Sequence, residues 1–174
     1  MLKSLTLENF KSWQKIDKMH FASITGLFGT NSSGKTSILQ MLLLLKQTVE
    51  SPDQKQVLNF GDEKTYANLG TFKDMIYDHN IENALSWKIS WMLTEQQQKD
   101  IRITTKEILQ PTNDSEISNL ATIKTIENGK VRVNSLAYSW GNESFIMEKR
   151  DKGDKYSLKT TSANYKFVRA MGRK

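Results

Sequence analysis

The sequence predicts an α/β fold whose second half is an antiparallel β-rich segment. In the first half, a strand-like run at Phe21–Phe28 is followed by a glycine-rich loop and then by a strongly apolar helix-like run at Thr36–Val49. In the second half, segments with apolar residues at alternate positions are separated by turn signals, as expected for strands joined by hairpins. We expect residues 1–93 to form the first unit and residues 94–174 the second.

The loop between the two runs, Gly29–Thr36, reads Gly-Thr-Asn-Ser-Ser-Gly-Lys-Thr and fits the phosphate-binding pattern G-x-x-x-x-G-K-[ST] at every fixed position. Glycine at positions 29 and 34 lets the backbone take positive φ and pass close to phosphates. Lys35 can reach the β- and γ-phosphates, and the Thr36 hydroxyl is placed to ligate Mg²⁺. The motif predicts binding of a nucleoside triphosphate, and the alternative is a Gly/Ser-rich surface turn that happens to precede a lysine.

The predicted nucleotide site is this Walker A loop together with the start of the following helix. Successive backbone N–H groups can turn inward as an anion-binding nest, and the helix adds its unpaired N-terminal N–H groups. Lys35 is the predicted catalytic residue and Thr36 the predicted ligand of Mg²⁺, with ATP as the nucleotide. The residues predicted to bind the cofactor are Gly29, Asn31, Ser32, Ser33, Gly34, Lys35, Thr36 and Ser37.

The elements around the loop suit a buried α/β core. Leu2–Phe10 alternates apolar and polar residues and predicts a half-buried strand, and a second strand is expected at Lys15–Met19. Phe21–Phe28 is expected to be a buried central strand. The helix Thr36–Val49 is apolar nearly all the way round, so we expect a sheet on one side and other elements on the rest. Its apolar run, Met41–Leu45, is far shorter than the roughly twenty residues that span a bilayer, so no membrane is expected.

Further strand-like segments alternate apolar and polar residues and lie at Ser86–Leu93, Ile101–Ile108, Ala121–Glu127, Val131–Trp140, Glu143–Glu148 and Tyr156–Thr160. The turn signals lie at Pro111–Asp114, Asn128–Gly129, Gly141–Asn142 and Gly153–Asp154. The Asn-Gly pair between two apolar alternating runs is a clear hairpin signal. These segments predict an antiparallel sheet.

The net charge of +6 is concentrated at the end of the sequence, where residues 149–174 carry nine Lys or Arg against two Asp. Interleaved aromatic residues there are compatible with contact to DNA or RNA, although a run of charge also suits an ordinary solvated face. The sequence contains no cysteine and two histidines, so neither disulfides nor a zinc site are expected. Charged residues interrupt every candidate signal-peptide core near the start, which favours the cytoplasm.

The segment Leu5–Ser12 reads Leu-x-Leu-x-Asn-Phe-Lys-Ser and is followed by a short strand and the phosphate loop. This arrangement resembles the head of the ABC-type ATPases that include the RecF, SMC and Rad50 proteins and the OLD-family (overcoming lysogenization defect) ATPases. Within that group, Leu27–Gln40 and Leu69–Asp74 are similar to bacterial AAA-family ATPases carrying the DUF3696 region, some of which, such as the Septu ATPase, act in antiphage defence. The resemblance covers about residues 1–93 well and the remainder only loosely.

The resemblance implies further site residues and partners. Lys11 or Ser12 would lie near the nucleotide, the alternative being a solvated turn lysine, and His79 would lie in the loop that senses the γ-phosphate and Mg²⁺, the alternative being an ordinary polar loop residue. Such heads dimerise head to head, so a homodimer or the remainder of the ATPase is an implied partner, with a nuclease subunit as a further one.

Two elements of such an ATPase are not found in the sequence. An acidic residue that ends an apolar strand, the Walker B element, has only weak imitations at Met75–Asp78 and Phe145–Glu148, each with three apolar residues before the acid. A Ser-Gly-Gly signature is also missing. We therefore expect an N-terminal lobe of a longer ATPase that binds ATP·Mg²⁺ and does not hydrolyse it quickly alone.

The sequence suggests two alternative functions, of which it disfavours the second. One is a nucleic-acid-binding or scaffold subunit in which the nucleotide is structural and the basic tail makes the productive contacts. The other is a GTPase-like switch, which is disfavoured because the Asn-Lys-x-Asp element that selects guanine is missing.

Overall fold

The computed structural model describes residues 1–53, 55–105, 115–126, 129–151, 153, 155–163, 165 and 167. The strands in these ranges are β1 (Leu2–Phe10), β2 (Trp13–His20), β3 (Leu85–Met92), β4 (Glu116–Thr125), β5 (Val131–Trp140), β6 (Glu143–Lys149) and β7 (Tyr156–Thr160). The helices are α1 (Lys35–Val49), the single turn α2 (Phe72–Met75) and α3 (Glu95–Thr105), with a 3₁₀ turn at Tyr77–His79.

The seven strands form one sheet in the order β2-β1-β3-β4-β5-β6-β7, and every neighbouring pair is antiparallel. The chain reaches β3 from β2 by the long excursion that contains the glycine loop and α1. After β3 the strands follow one another in sequence order. The antiparallel second half is therefore confirmed, and β1 to β3 of the first half belong to the same sheet.

The core lies between one face of β1 and β3 and one side of α1. Leu5 and Leu7 alternate with more polar residues along β1 and are fully buried. Met41 and Leu44 lie three positions apart on α1, which places them on the same side of a helix, and they too are fully buried in the same cluster. Burial of apolar side chains on both partners holds the helix that follows the glycine loop against the sheet.

Most of the predicted strands are confirmed. The segments Leu2–Phe10, Val131–Trp140 and Tyr156–Thr160 are strands with the predicted bounds. The remaining strands are shifted: β2 is longer than predicted at both ends, β3 begins and ends one residue earlier, β4 begins five residues earlier and ends at Thr125, and β6 extends to Lys149.

The predicted turns are confirmed where the structure describes them. The N–H of Ile126 donates to Lys130 O (2.7 Å), and Gly129 has φ +71°, which closes the β4–β5 hairpin. Gly141 has φ +57° between β5 and β6. The Pro111–Asp114 signal, Asn128 and Asp154 lie outside the described residues.

The prediction of a buried central strand at Phe21–Phe28 was wrong. No strand is present there, and Ile24 and Phe28 are 91% and 93% exposed. The chain bends instead, because the N–H of Ala22 donates to the hydroxyl of Thr25 (3.0 Å). Apolar alternation shows that a segment suits a strand, but a strand also needs a neighbour for its backbone groups. The N–H of Phe21 donates to Lys3 O of β1 (2.8 Å), and beyond Phe21 none of the described strands pairs with the segment.

The expectation that α1 is covered all round was also wrong. Its buried residues are Ser37, Ile38, Met41, Leu44 and Gln47, which lie on one side. On other sides of the helix, Leu39 is 53% exposed and Val49 86%. All neighbouring strands in the described residues are antiparallel, so these residues contain no parallel sheet. The expectation of an α/β fold is therefore met only by the glycine loop and α1.

The predicted strand at Ile101–Ile108 was wrong for residues 101–105, which belong to α3, and residues 106–108 lie outside the described ranges. The helix begins at a capping box that we did not recognise: the N–H of Gln97 donates to Thr94 Oγ1 (3.2 Å), and the N–H of Thr94 donates to Gln97 Oε1 (2.9 Å). The division of the chain at residue 93 stays a prediction.

Gln47, near the end of α1, connects this helix to the loop that follows it. Its buried side chain donates from Nε2 to Asn59 O (2.6 Å) and Ala67 O (3.1 Å), and its Oε1 accepts from the N–H of Ala67 (3.1 Å). Three backbone groups of an irregular loop are thereby satisfied away from water.

We predict that Gln47→Ala destabilises the fold by about 2–4 kcal/mol, because it leaves these buried backbone groups without partners. Chemical denaturation measures the loss. Gln40→Ala on the same helix, at a position that is not fully buried, is the control and should change the free energy of unfolding by less than about 1 kcal/mol. Equal losses for the two variants would contradict this account of Gln47.

Candidate nucleotide-binding site

The glycine loop is a concave turn that opens onto the first residue of α1. Gly29, Ser32 and Gly34 have φ values of +149°, +63° and +83°, so the backbone reverses its curvature repeatedly across six residues. Gly34 is the residue immediately before the helix. Backbone of this kind turns successive N–H groups toward one side and forms an anion-binding nest at a helix N-terminus.

Lys35 holds its ammonium group inside the curve of the loop. Its Nζ donates to Gly29 O (2.8 Å), to Thr30 O (2.5 Å) and to Ser33 Oγ (3.3 Å). These bonds fix a full positive charge next to the nest. A positive charge at the N-terminus of a helix is suited to phosphate.

The turn between β1 and β2 packs directly against the loop. The indole Nε1 of Trp13 donates to Gly34 O (3.0 Å). A Cβ on Gly34 would lie 2.5 Å from Ser12 Oγ and 2.6 Å from Trp13 Nε1. Gly34 is therefore required both by its positive φ and by the close approach of the β1–β2 turn.

The structure brings nine of the ten predicted cofactor-binding residues together around one cavity of about 400 Å³. These residues are Lys11, Ser12, Asn31, Ser32, Ser33, Gly34, Lys35, Thr36 and Ser37. Gly29 lines a separate, more apolar cavity on the other side of the loop. We call the first cavity the loop cavity.

Thr36, the predicted Mg²⁺ ligand, is exposed and lines the loop cavity. Mg²⁺ keeps several waters and takes few protein ligands when substrate phosphates supply others, so a single hydroxyl beside a phosphate nest fits this ion. Among the described residues, no group of three or more His, Asp or Glu could hold a metal without such phosphates.

A second cavity of about 470 Å³ adjoins the first, and Lys11 and Ser12 line both. The segment around it is fixed to β1, since the N–H of Lys11 donates to Met75 O (2.7 Å) and Phe10 forms a bridge with Ile76. We call it the side cavity.

Asp78 and His79 line the side cavity and have consecutive positive φ values of +55° and +51°. Positive φ is uncommon outside glycine, and two such residues in succession mark strained backbone of the kind found at ligand sites. The Nδ1 of His79 lies 2.8 Å from Lys73 O. Because a carbonyl oxygen can only accept, Nδ1 carries the proton in this bond.

Sequence reasoning missed Trp13, Asp74 and Tyr77, considered Asp78 only as the acid of a weak Walker B imitation, and connected His79 to the site only by resemblance. Strand β2 separates Trp13 from the loop, and the other residues follow the loop by more than thirty positions, so no local motif joins them. The one available signal concerned Trp13, which directly follows Ser12, a residue already predicted to lie near the nucleotide.

Asp74 caps the short helix α2 and lines the side cavity. Its Oδ2 accepts from the hydroxyl and from the N–H of Thr71, both at 2.7 Å. These hydrogen bonds lower the pKa of the Asp74 carboxyl from its usual value, and the bond from the Thr71 hydroxyl has the larger effect. Asp74 therefore stays ionised at the edge of the cavity.

The glycine loop with its fixed lysine, opening onto the first turn of a helix beside a sheet, defines a nucleotide-binding protein of the P-loop class. A sequence model of the AAA ATPase domain family matches residues 1–169. The chain belongs to the AAA ATPase domain family. No protein with a curated description matches it.

In the described part of the chain, no helix is both long and apolar enough to cross a bilayer.

We predict that Gly34→Ala destabilises the fold by about 2 kcal/mol or more, because it adds a clash with Ser12 and Trp13 to the strain of positive φ. Gly153→Ala is the control: it also has positive φ, at +70°, but a Cβ there meets no described atom within 4 Å. The control should lose about 1 kcal/mol, which is the strain alone. Denaturant titration of both variants measures the difference, and equal losses would show that the close approach is unimportant.

We predict that Thr71→Val raises the pKa of Asp74 toward the usual value of an aspartate, because the variant lacks the hydroxyl that donates to it. A carboxyl whose pKa is lower in the folded state stabilises the fold above its unfolded pKa, and this contribution is lost as the pH falls through the folded pKa. NMR titration of the side-chain carboxyl carbon measures the shift. Thr65→Val is the control. The Thr65 hydroxyl accepts from the N–H of Asp62 and not from any group of Asp74, so this variant should leave the pKa of Asp74 unchanged.

Proposed function

We propose that this chain binds ATP·Mg²⁺ as the Walker A lobe of an ABC/OLD-like ATPase. The observation that carries the proposal is the placement of Lys35: its ammonium is fixed inside a loop of three positive-φ residues, at the first residue of α1. An anion is the ligand that a fixed positive charge at a helix N-terminus recognises.

The residues of the loop cavity divide the work of holding a triphosphate. The nest receives the β-phosphate, and Lys35 supplies a positive charge to the β- and γ-phosphates. Thr36 offers its hydroxyl to Mg²⁺, and the ion, when bound, neutralises negative charge on the phosphoryl oxygens. Lys11 and Ser12 close the cavity from the side of the β1–β2 turn.

We propose further that rapid hydrolysis needs a Walker B carboxylate and a signature element from outside this sequence. Phosphoryl transfer depends on positioned groups that orient the attacking water and stabilise charge. The two weak candidates do not support that role. Asp78 lies within the 3₁₀ turn Tyr77–His79 and does not end a strand, and Glu148 lies in the antiparallel strand β6, where it pairs with Lys159 (2.6 Å).

The resemblance of the loop region to DUF3696-type and Septu ATPases supports a role in bacterial antiphage defence as part of the same proposal. It also supports head-to-head pairing with a second ATPase head and cooperation with a nuclease subunit. The exposed residues beside the loop, Ile24 and Phe28, are compatible with cover by further protein.

The structure supports the alternative function, a nucleic-acid-binding subunit, less than it supports nucleotide binding. Phe145, Tyr165 and Phe167 pack edge to face on one another, with ring centroids 5.0–6.3 Å apart. Rings packed in this way stabilise a cluster, whereas base stacking needs an open ring face. Most of the basic tail lies outside the described residues.

We predict that Lys35→Ala weakens ATP·Mg²⁺ binding at least about tenfold, because it removes the charge-assisted contact to phosphate. Calorimetry measures the affinity, with phosphate release followed in parallel and expected near background. Lys46→Ala is the control, since this lysine lies at the far end of the same helix, over the ring of Tyr66. Tight ATP binding that survives Lys35→Ala would contradict the proposal.

A further inference from the structure

The side cavity next to the glycine loop has no role in the phosphate chemistry proposed above. We propose that it receives the nucleoside part of the bound nucleotide, the ribose and base, while the loop cavity holds the phosphates. This inference rests on the proposed function and adds to it the recognition of the nucleoside.

The two cavities are neighbours across a single turn of the chain. Lys11 and Ser12 line both, so a ligand anchored at the loop reaches the side cavity by passing this turn. The far side of this turn is joined to the segment at Met75 and Ile76, because the N–H of Lys11 donates to Met75 O (2.7 Å) and Phe10 pairs with Ile76. Each cavity exceeds about 300 Å³, the lower end of the usual range for ligand pockets.

The side cavity has the wrong charge for phosphate. Two carboxylates, Asp74 and Asp78, line it, and the hydrogen bonds from Thr71 keep Asp74 ionised. Carboxylates repel a phosphate group and leave only Lys11, at the boundary with the loop cavity, to attract one. A neutral part of the ligand therefore fits this cavity better than the γ-phosphate does.

The groups of the side cavity match the hydrogen-bond donors of a nucleoside. Carboxylate oxygens only accept hydrogen bonds. Nδ1 of His79 donates to Lys73 O, and in the neutral form of the imidazole this leaves Nε2 as an acceptor. Ribose hydroxyls and the amino groups of bases are donors, so the cavity offers acceptors where a nucleoside offers donors.

The backbone supports a ligand role for the same residues. Asp78 and His79 adopt positive φ in succession, and the N–H of His79 donates to Ile76 O (3.2 Å) while that of Asn80 donates to Tyr77 O (3.3 Å). The strained pair is thus held by a tight turn and presented at the cavity. Backbone strain of this kind is concentrated at binding sites.

The test compares ATP with inorganic tripolyphosphate, each with Mg²⁺, by calorimetry on the full chain. The variant is Asp78→Gly combined with His79→Asn, since glycine and asparagine both tolerate positive φ. Glu82→Gln is the matched control, because this exposed carboxylate lies in the same loop and does not line the cavity. Circular dichroism checks that the double variant folds.

We expect the wild type to bind ATP about tenfold or more tightly than tripolyphosphate. The double variant should lose about tenfold in ATP affinity and keep its affinity for tripolyphosphate, while the control changes neither. Unchanged ATP affinity in the double variant, or a parallel loss for both ligands, would overturn the inference. Equal wild-type affinity for the two ligands would also overturn it and leave the proposed phosphate site intact. A wild type that binds neither would overturn the proposed function and this inference with it.

Discussion

The contact between the β1–β2 turn and Gly34 connects the sheet to the candidate site. The indole of Trp13 donates to the carbonyl of Gly34, and the side chains of Ser12 and Trp13 approach Gly34 so closely that only glycine fits. Gly34 immediately precedes α1, so this contact also fixes the point at which the helix begins. The position of Lys35, and through it the charge inside the loop, depends on that geometry.

The electrostatics of the region vary over a short distance around the same turn. On one side of Lys11 and Ser12, the loop offers the Lys35 ammonium at the N-terminus of α1. On the other side, Asp74 and Asp78 offer carboxylates. A ligand that is anionic at one end and neutral, with hydroxyl and amino groups, at the other matches this separation of charge. A nucleotide has that form.

Local chemistry in the sequence was sufficient to predict much of the fold. The loop and α1 follow from a motif whose residues are contiguous, and the hairpins follow from apolar alternation interrupted by Asn-Gly and Gly-Asn pairs.

The failures came from features that are not local. Phe21–Phe28 suits a strand, but strand formation depends on a neighbour, and Ile101–Thr105 alternates like a strand although a capping box at Thr94 starts a helix. The acidic side of the site comes from residues far along the chain that the β1–β2 turn brings to the loop, and no sequence pattern connects them.

The most direct test of the account is a titration of the ¹⁵N-labelled chain with ATP·Mg²⁺, monitored by the backbone amides of the loop and by the indole N–H of Trp13. If the loop and the β1–β2 turn form one nucleotide site, the resonances of Gly34, Lys35, Ser12 and the Trp13 indole should shift together with a single affinity. Loop amides that do not respond to ATP, or a Trp13 indole that stays unchanged while they shift, would contradict the claim that the turn and the loop act as one site.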